Sequence, residues 1–235
     1  METTLNTGPR DTLVRGSWVL TMGPLGALRD GAVHLKGGEI VAIDSYDKLS
    51  ATLRDVPVVG DGNGIVVPGL VNTHTHLSEA FLAGLGSELP LFRWGQEIVT
   101  PAGRCLTGDM AREGTVLKVA ELIRSGVTCI NDMFVHGNPD SYASLGVVDG
   151  LALTGMRAIV SFGAEDAVGG LSDTKGLSVS RILDEQEALF EAVGSNGLLD
   201  FRYGIGTILG QSDELLTAGT ALCQDRDWGI HTHLA

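Results

Sequence analysis

The sequence contains few cysteines, few basic residues and no long apolar run. Its three cysteines (Cys105, Cys129 and Cys223) are scattered without a CxxC pair, which is typical of a reducing compartment and argues against a disulfide framework. It has 16 Lys and Arg against 29 Asp and Glu, a formal net charge of −13. Because nucleic-acid binding needs basic side chains to neutralise phosphates, this balance argues against a nucleic-acid partner.

Membrane and export signals are also missing from the sequence. No apolar run is as long as a membrane span, and the first residues lack the charged-then-apolar order of a signal sequence. We therefore expect a cytoplasmic protein without membrane insertion. The hydrophobic content of 43% and the 33 glycines instead favour a globular α/β protein with many short connections.

The first part of the chain, residues 1–63, has a β pattern. Short apolar runs alternate with Gly, Asp and Pro turns, and Lys36-Gly37-Gly38 is typical of a hairpin turn. The predicted strands are Leu13–Met22, Gly31–Leu35, Glu39–Asp44 and Val58–Val59. This segment is too small to be a convincing independent domain, so we expect it to need strands from elsewhere.

From residue 64 to 235 the pattern alternates between strand and helix. Helical spacing occurs near residues 107–124, 139–153, 178–194 and 212–226. The predicted strands are Ile65–Thr73, Val127–Asp132, Ala158–Phe162, Leu199–Tyr203 and Gly229–His233. Near-continuous apolar strands of this kind predict a parallel sheet covered by helices.

The parallel sheet can be an open doubly wound sheet or a closed barrel. No GxGxxG follows the first strand, so a dinucleotide site has no support. A (β/α)8 barrel needs about 250 residues for its eight units, and only about five units can be counted here. If the fold is a barrel, we expect this chain to be its N-terminal part, ending after the fifth strand.

The tripeptide His-Thr-His occurs twice, at His74–His76 and His231–His233, and uses four of the six histidines. Residues two apart on a strand point to the same side of the sheet. Each pair ends a short apolar run, and barrel sites gather at the carboxyl ends of the strands. The pattern therefore predicts imidazoles that hold one divalent metal ion.

The stretch PGLVNTHTHL at residues 68–77, followed by Gly126–Met133 with the sequence GVTCINDM, resembles the amidohydrolase superfamily. The most similar branch contains the metal-dependent deaminases and chlorohydrolases of purine, pyrimidine and triazine-like rings. The resemblance implies a distorted (β/α)8 TIM-type barrel and a β-sandwich built from both chain termini. It also implies a single Zn²⁺, or alternatively Fe²⁺, that activates water.

By this resemblance His74 and His76 are the metal ligands on the first strand, and His233 is the ligand on the fifth. On geometry alone His231 could take the place of His233, because the two share a face. The family's catalytic Glu, later His and Asp match no position within these 235 residues. We therefore expect no useful activity if this chain is the whole polypeptide.

Three further residues are candidates for substrate binding. Glu79 follows His76 closely, although a solvated loop carboxylate is an equal alternative. Trp94 could stack on a flat ring, although an aromatic at this place more often serves packing. His136 lies just beyond the second strand and could line the pocket, with a surface-loop histidine as the alternative. Asp132, at the end of that strand, is more typical of a hydrogen bond to a neighbouring loop or to a ligand histidine than of catalysis.

The leading hypothesis is a hydrolase of carbon–nitrogen bonds that deaminates a heterocyclic or cyclic amidine substrate. A dehalogenase on the same site and a non-catalytic barrel scaffold are the alternatives. The chain has Phe81–Gly84 where many relatives have LLRG, and Ile205–Thr207 where nucleoside deaminases have a Pro-His pair. These departures argue against an adenosine- or S-adenosylhomocysteine-like substrate. Relatives are often oligomers, so we expect a homo-oligomer.

Overall fold

The computed structural model describes residues 11–170, 175–194 and 196–234. The chain forms two compact units that divide between Gly69 and Leu70. The first unit contains β1 (Asp11–Leu20), β2 (Ala27–Lys36), β3 (Glu39–Ser45), α1 (Tyr46–Thr52), β4 (Val58–Val59) and β5 (Ile65–Val66). The second unit contains the remaining elements.

The first unit is one five-stranded sheet. Strands β1, β2 and β3 are antiparallel neighbours, and β4 and β5 pair in parallel with β1. The predicted hairpin connects β2 and β3, and Gly37 and Gly38 both have positive φ, at 62° and 89°, as tight hairpin turns require. Within residues 11–69 the structure describes this single sheet, so the predicted sandwich remains a prediction.

The predicted strand Ile65–Thr73 is wrong as one continuous element. Its first two residues form β5 in the first unit, and the strand that carries the first histidine pair begins only at Leu70. Pro68 lies between the two pieces, and proline has no N–H group with which to continue a ladder. The strand is therefore divided, and its two halves join different sheets.

The second unit alternates strands and helices as the sequence predicted. Its strands are β6 (Leu70–Thr75), β7 (Val127–Phe134), β8 (Arg157–Phe162), β9 (Leu199–Phe201), β10 (Tyr203–Thr207) and β11 (Ile230–His233). Its four long helices are α4 (Gly108–Arg124), α5 (Ala143–Thr154), α6 (Val179–Val193) and α7 (Asp213–Arg226). Between β6 and α4 lie a 3₁₀ turn (Leu77–Glu79), α2 (Leu91–Trp94), a π-helical turn (Gly95–Val99) and α3 (Thr100–Cys105).

The strands of the second unit run parallel. One sheet has the order β6-β7-β8-β9, and β10 pairs with β11. A bridge between Ala164 and Ile205 connects the end of β8 with β10, while only Arg202 separates β9 from β10. The result is five successive parallel strand positions with helices between them, the fourth of which β9 and β10 share. This confirms the predicted α/β class; the complete barrel is not contained in these residues.

The core of this unit lies between the helices and the sheet. The side chains that are almost completely buried there include Ile130, Phe134, Val160 and Phe162 on the strands and Leu151 and Leu189 on the helices. Ser178 and Ser212 cap α6 and α7 by accepting hydrogen bonds from the backbone N–H groups of Arg181 and Leu215, as serine typically does at a helix N-terminus. Among the described residues, no helix combines the length and the apolar character that crossing a bilayer requires.

Candidate metal centre

Three of the predicted ligand histidines lie together at the carboxyl ends of β6 and β11. One ligand atom from each of His74, His76 and His233 lies within 4.8 Å of the others, and the ring centroids are 5.0–5.2 Å apart. The strand period places His74 and His76 on one face of the chain at the end of β6, and β11 brings His233 to the same point. The structure therefore brings the three predicted ligands together.

Backbone carbonyls orient two of these rings. His76 Nδ1 lies 2.7 Å from the Met133 carbonyl oxygen, and His233 Nδ1 lies 2.6 Å from that of Gly206. Because a carbonyl oxygen can only accept, Nδ1 must carry the hydrogen in both rings. Metal-binding histidines are typically oriented by such a bond from the second ring nitrogen.

The opposite nitrogens of the two rings face one another. The Nε2 atoms of His76 and His233 are 3.3 Å apart, and in the neutral tautomers both present a lone pair. Burial, followed by the neighbouring imidazoles, lowers the pKa of His76 to about 4 despite the opposing bond to Met133, so this ring is neutral at pH 7. When both rings are neutral, their Nε2 lone pairs converge, and such a pair of acceptors fits a bound cation.

His231 has a different environment, although it lies on the same strand. The Ser161 hydroxyl donates to the Asp132 carbonyl oxygen at 2.8 Å, so at 2.8 Å from His231 Nδ1 it must accept the ring hydrogen. The Asn131 amide donates to His231 Nε2 at 3.4 Å. Both nitrogens of His231 are thus engaged by neighbouring side chains, and the geometry favours His233 over His231 as the ligand.

All six predicted site residues line one cavity of about 1410 Å³ in the second unit. Glu79 is partly buried in the 3₁₀ turn after His76, and burial raises the pKa of its carboxyl to about 7. It is therefore not a fully solvated loop carboxylate, and it can hold or release a proton near neutral pH.

Trp94 has both a structural contact and a place on the cavity wall. Its indole Nε1–H donates to the Leu85 carbonyl oxygen at 3.1 Å, which fastens the loop between β6 and α4. The ring lines the cavity together with Leu91 and Phe92. The two interpretations of this residue, packing and substrate contact, are compatible.

His136 contributes to the cavity wall but not as a surface-loop residue. Its side chain is fully buried, and its Nε2 donates to Glu185 Oε1 at 2.9 Å while Nδ1 accepts the Asn138 N–H at 3.2 Å. Burial would raise the pKa of Glu185, but the bonds from His136, Ser144 and Arg181 lower it overall. Since both ring nitrogens are occupied, neither is available for a substrate hydrogen bond in this arrangement.

Asp132 makes the loop contact that its position predicted. Its side chain is inaccessible to solvent, and Oδ1 accepts the backbone N–H of Leu77 at 2.8 Å, immediately after His76. Burial, with a smaller contribution from Glu79, raises the pKa of Asp132 to about 8. This carboxyl group therefore anchors the turn that follows the histidine pair.

Other polar residues line the same cavity and were not predicted as site residues: Arg104, Glu165, Lys175, Arg181 and Thr207. Glu165 and Thr207 follow the ends of predicted strands, the positions at which barrel sites gather. That signal could have identified these two. The others lie in a loop (Lys175), in the first turn of α6 (Arg181) and in the last turn of α3 (Arg104), where the sequence gives no comparable signal.

Comparison with known proteins places these features in a wider context. The sequence model of the Amidohydrolase family matches residues 65–235. The chain is 30% identical over 235 residues to a 5-methylthioadenosine/S-adenosylhomocysteine deaminase of Nitratidesulfovibrio vulgaris, covering 97% of this chain and 50% of that protein. The chain spans about half or less of the length of the curated relatives it matches.

Solved structures share the fold at low sequence identity. A triazine hydrolase variant has a TM-score of 0.82 at 22% identity, covering 97% of this chain and 53% of that chain. An adenosine deaminase from Xanthomonas campestris with bound zinc has a TM-score of 0.75 at 24% identity, covering 96% of this chain and 49% of that one. These likenesses show a common fold.

Proposed function

Because the chain belongs to the amidohydrolase family, as the sequence resemblance indicated, we propose that it carries the metal-binding part of a hydrolytic deaminase that acts on a heterocyclic substrate. The observation that carries this proposal is the convergence of His74, His76 and His233. Three imidazoles aimed at one point have no evident purpose in a scaffold, because a scaffold gains nothing from opposed lone pairs.

The proposed cofactor is one divalent metal ion, with Zn²⁺ favoured and Fe²⁺ as the alternative. Neutral imidazole nitrogens are ordinary zinc ligands, and the similar adenosine deaminase fold contains zinc. His74, His76 and His233 would hold the ion through their converging nitrogens. When bound, zinc supplies the activation of water, whose pKa it lowers to about 7.

The chain's own residues have separate tasks in this proposal. Met133 and Gly206 carbonyls and the Asp132 carboxyl fix the histidines and the turn beside them. Glu79, with its pKa near 7, contacts the substrate and can hold a proton there. Trp94 supplies a flat apolar surface on which a heterocyclic ring can stack.

The substrate class is extended here from the relatives. The N. vulgaris relative carries 5-methylthioadenosine and S-adenosylhomocysteine in its name, so the sequence departures that argued against such substrates do not exclude this class. We take a purine nucleoside with an exocyclic amino group as the first candidate. Completion of the (β/α)8 barrel and of the sandwich, a cytoplasmic location and homo-oligomer formation belong to the same proposal.

The first experiment is metal analysis of the purified protein. About one equivalent of zinc or iron, abolished in the double variant His74→Ala/His76→Ala, would support the hydrolase. A metal-free, cooperatively folded protein that takes up no zinc on titration would favour the scaffold instead.

The second experiment measures the reaction. Since the expected acid–base residues match no position here, the chain is joined to the C-terminal half of the N. vulgaris relative, and ammonia release from 5-methylthioadenosine is followed. His76→Ala in the same fusion is the matched control. Chloride release from a chlorotriazine without ammonia release would favour the dehalogenase. A folded, zinc-loaded fusion that releases neither product would contradict the proposal.

A further inference from the structure

The pairing of β6 with β7 is irregular at His74. Asn72 pairs with Ile130 and Thr75 pairs with Asp132, so between these two pairs β6 has two residues and β7 has one. Two residues opposite one make a β-bulge, a feature that is common beside active sites, where it redirects a side chain. His74 is one of the two residues in this bulge.

The bulge decides which side of the sheet the histidine pair faces. Ile130, the partner of Asn72, is completely buried in the core between the sheet and the helices. In a regular strand His74 and His76 would lie on the same side as Asn72, because side chains two apart share a face. One extra residue reverses the alternation. His76 therefore faces the other side, where its Nε2 lies 3.3 Å from that of His233.

Two asparagine side chains hold the bulge. Asn72 Oδ1 accepts the backbone N–H of His74 at 3.2 Å, in the two-residue turn that asparagine typically makes with its own backbone. Asn131, the single residue opposite the bulge, donates its side-chain amide to the Thr73 carbonyl oxygen at 3.2 Å. This N–H and this carbonyl belong to one peptide group, the group that joins Thr73 to His74. The two asparagines therefore clamp that peptide group from both of its ends.

The direction of the His74 ring depends on this backbone more than the other two rings depend on theirs. The rings of His76 and His233 are each oriented by a carbonyl oxygen. The His74 ring has no hydrogen-bond partner within the described part of the chain and lies with its centroid 5.0 and 5.2 Å from those of the other two. Its direction is therefore set by the peptide group from which it projects.

We propose that Asn72 and Asn131 are positioning residues of the metal centre. By clamping the peptide group that precedes His74, they hold the bulge that directs the histidine pair towards His233. The inference rests on the proposed function of the same site and adds two residues outside the ligand set. Groups that orient metal ligands without binding the metal themselves typically contribute about 10–100-fold to metal affinity.

The test measures zinc affinity and stability in single variants of the full chain. Asn72→Leu removes the acceptor and Asn131→Leu removes the donor, and leucine has a similar size. We expect each variant to raise the zinc dissociation constant at least about tenfold in competition with a chromophoric chelator. Titration with cobalt(II) should give an altered visible absorption spectrum, because that spectrum reports how the ligands are arranged around the ion.

A conservative variant separates positioning from a general loss of structure. Asn72→Asp keeps an oxygen that can accept the His74 N–H, so it should retain the zinc affinity and the cobalt spectrum of the wild-type protein. Should Asn131→Leu fail to fold in a thermal melt, the comparison of Asn72→Asp with Asn72→Leu decides the question.

Two asparagines outside the metal centre provide matched controls. Asn196 Oδ1 accepts the Leu198 N–H at 3.1 Å in the same two-residue turn. The side-chain amide of Asn138 donates to the Leu106 carbonyl oxygen at 2.9 Å. Replacing either asparagine with leucine removes an equivalent bond, and we expect the zinc dissociation constant and the cobalt spectrum to stay unchanged even where the melting temperature falls.

The inference is overturned if the folded leucine variants of Asn72 and Asn131 keep the wild-type zinc dissociation constant, if Asn72→Asp is no better than Asn72→Leu, or if the control variants weaken zinc binding equally. In these cases the wild-type protein still binds zinc, and the proposed function stands. A wild-type protein that takes up no zinc contradicts the proposed function, and the positioning role is refuted with it.

Discussion

Replacing His233 with glutamine should weaken zinc binding far more than the same replacement of His231, although the two residues lie two positions apart on β11. His233 directs Nε2 towards His76 Nε2, 3.3 Å away. Both ring nitrogens of His231 instead lie within hydrogen-bonding distance of Asn131 and Ser161. The pair of variants separates a ligand from a structural histidine within one short strand.

The magnitude follows from the number of ligands. Structural zinc sites with four ligands contribute about 10–16 kcal/mol, or about 3 kcal/mol per ligand if the total is divided evenly. Since about 1.4 kcal/mol corresponds to a factor of ten, His233→Gln should raise the zinc dissociation constant about 100-fold. His231→Gln should leave it nearly unchanged, but the disturbed contacts to Ser161 and Asn131 should lower the free energy of unfolding by about 1–3 kcal/mol.

The assay is competition for zinc against a chromophoric chelator at pH 7.5, with urea unfolding of the same samples without metal. A zinc dissociation constant raised equally in both variants would mean that the metal site is not the cluster of His74, His76 and His233. Unchanged zinc binding in His233→Gln would refute the reasoning outright, because it would leave the opposed lone pairs without a function.

Three other outcomes are expected. Burial raises the pKa of Asp132 from 3.8 to about 8, so between these pH values the folded state keeps a proton that the unfolded state has lost. The free energy of unfolding should therefore fall as the pH rises between these values. Urea unfolding at pH 5 and pH 8.5 should show a smaller fall in Asp132→Asn than in the wild-type protein. Glu185→Ala removes the carboxylate that pairs with His136 and Arg181 in a buried network and should lower the free energy of unfolding by about 3–5 kcal/mol. Glu187→Ala on the same helix removes an exposed ion pair and should lower it by less than about 1 kcal/mol. Equal losses of the two variants in urea unfolding would contradict a stabilising role for the buried network. In a polypeptide of residues 1–235 expressed on its own, β6 and β11 each have one described neighbour, so we expect this polypeptide to self-associate through these edges. A monodisperse monomer at all concentrations in sedimentation velocity would disprove it.

The periodic elements and the histidine cluster could be predicted from local sequence. The spacing of apolar residues predicted the five parallel strand positions and the helices between them. The spacing of two residues within each His-Thr-His predicted which histidines share a face. The division of the first strand at Pro68 was missed because the apolar run continues across it, and which sheet each half joins depends on tertiary contacts. Proline could have signalled the break, but not the change of partner.

Side-chain environments were harder to predict than backbone elements. His136 was assigned to a loop or a pocket, yet its ring pairs with Glu185, 49 residues away, and no local pattern indicates that contact. Glu79 illustrates the same limit, because its raised pKa arises from burial by surrounding residues. Residue type predicts the chemistry that is available, whereas the fold decides whether a given nitrogen or oxygen can use it.

The way in which the histidines are held has a consequence for folding. His76 is fixed by a carbonyl of β7 and His233 by a carbonyl of β10, so each ring is oriented by the neighbouring strand rather than by the ion. The buried core between the sheet and its helices includes none of the three histidines. Small zinc domains, by contrast, fold only when the metal binds. We therefore infer that the fold precedes metal binding, and that zinc stabilises the protein by mass action on a site already arranged to receive it.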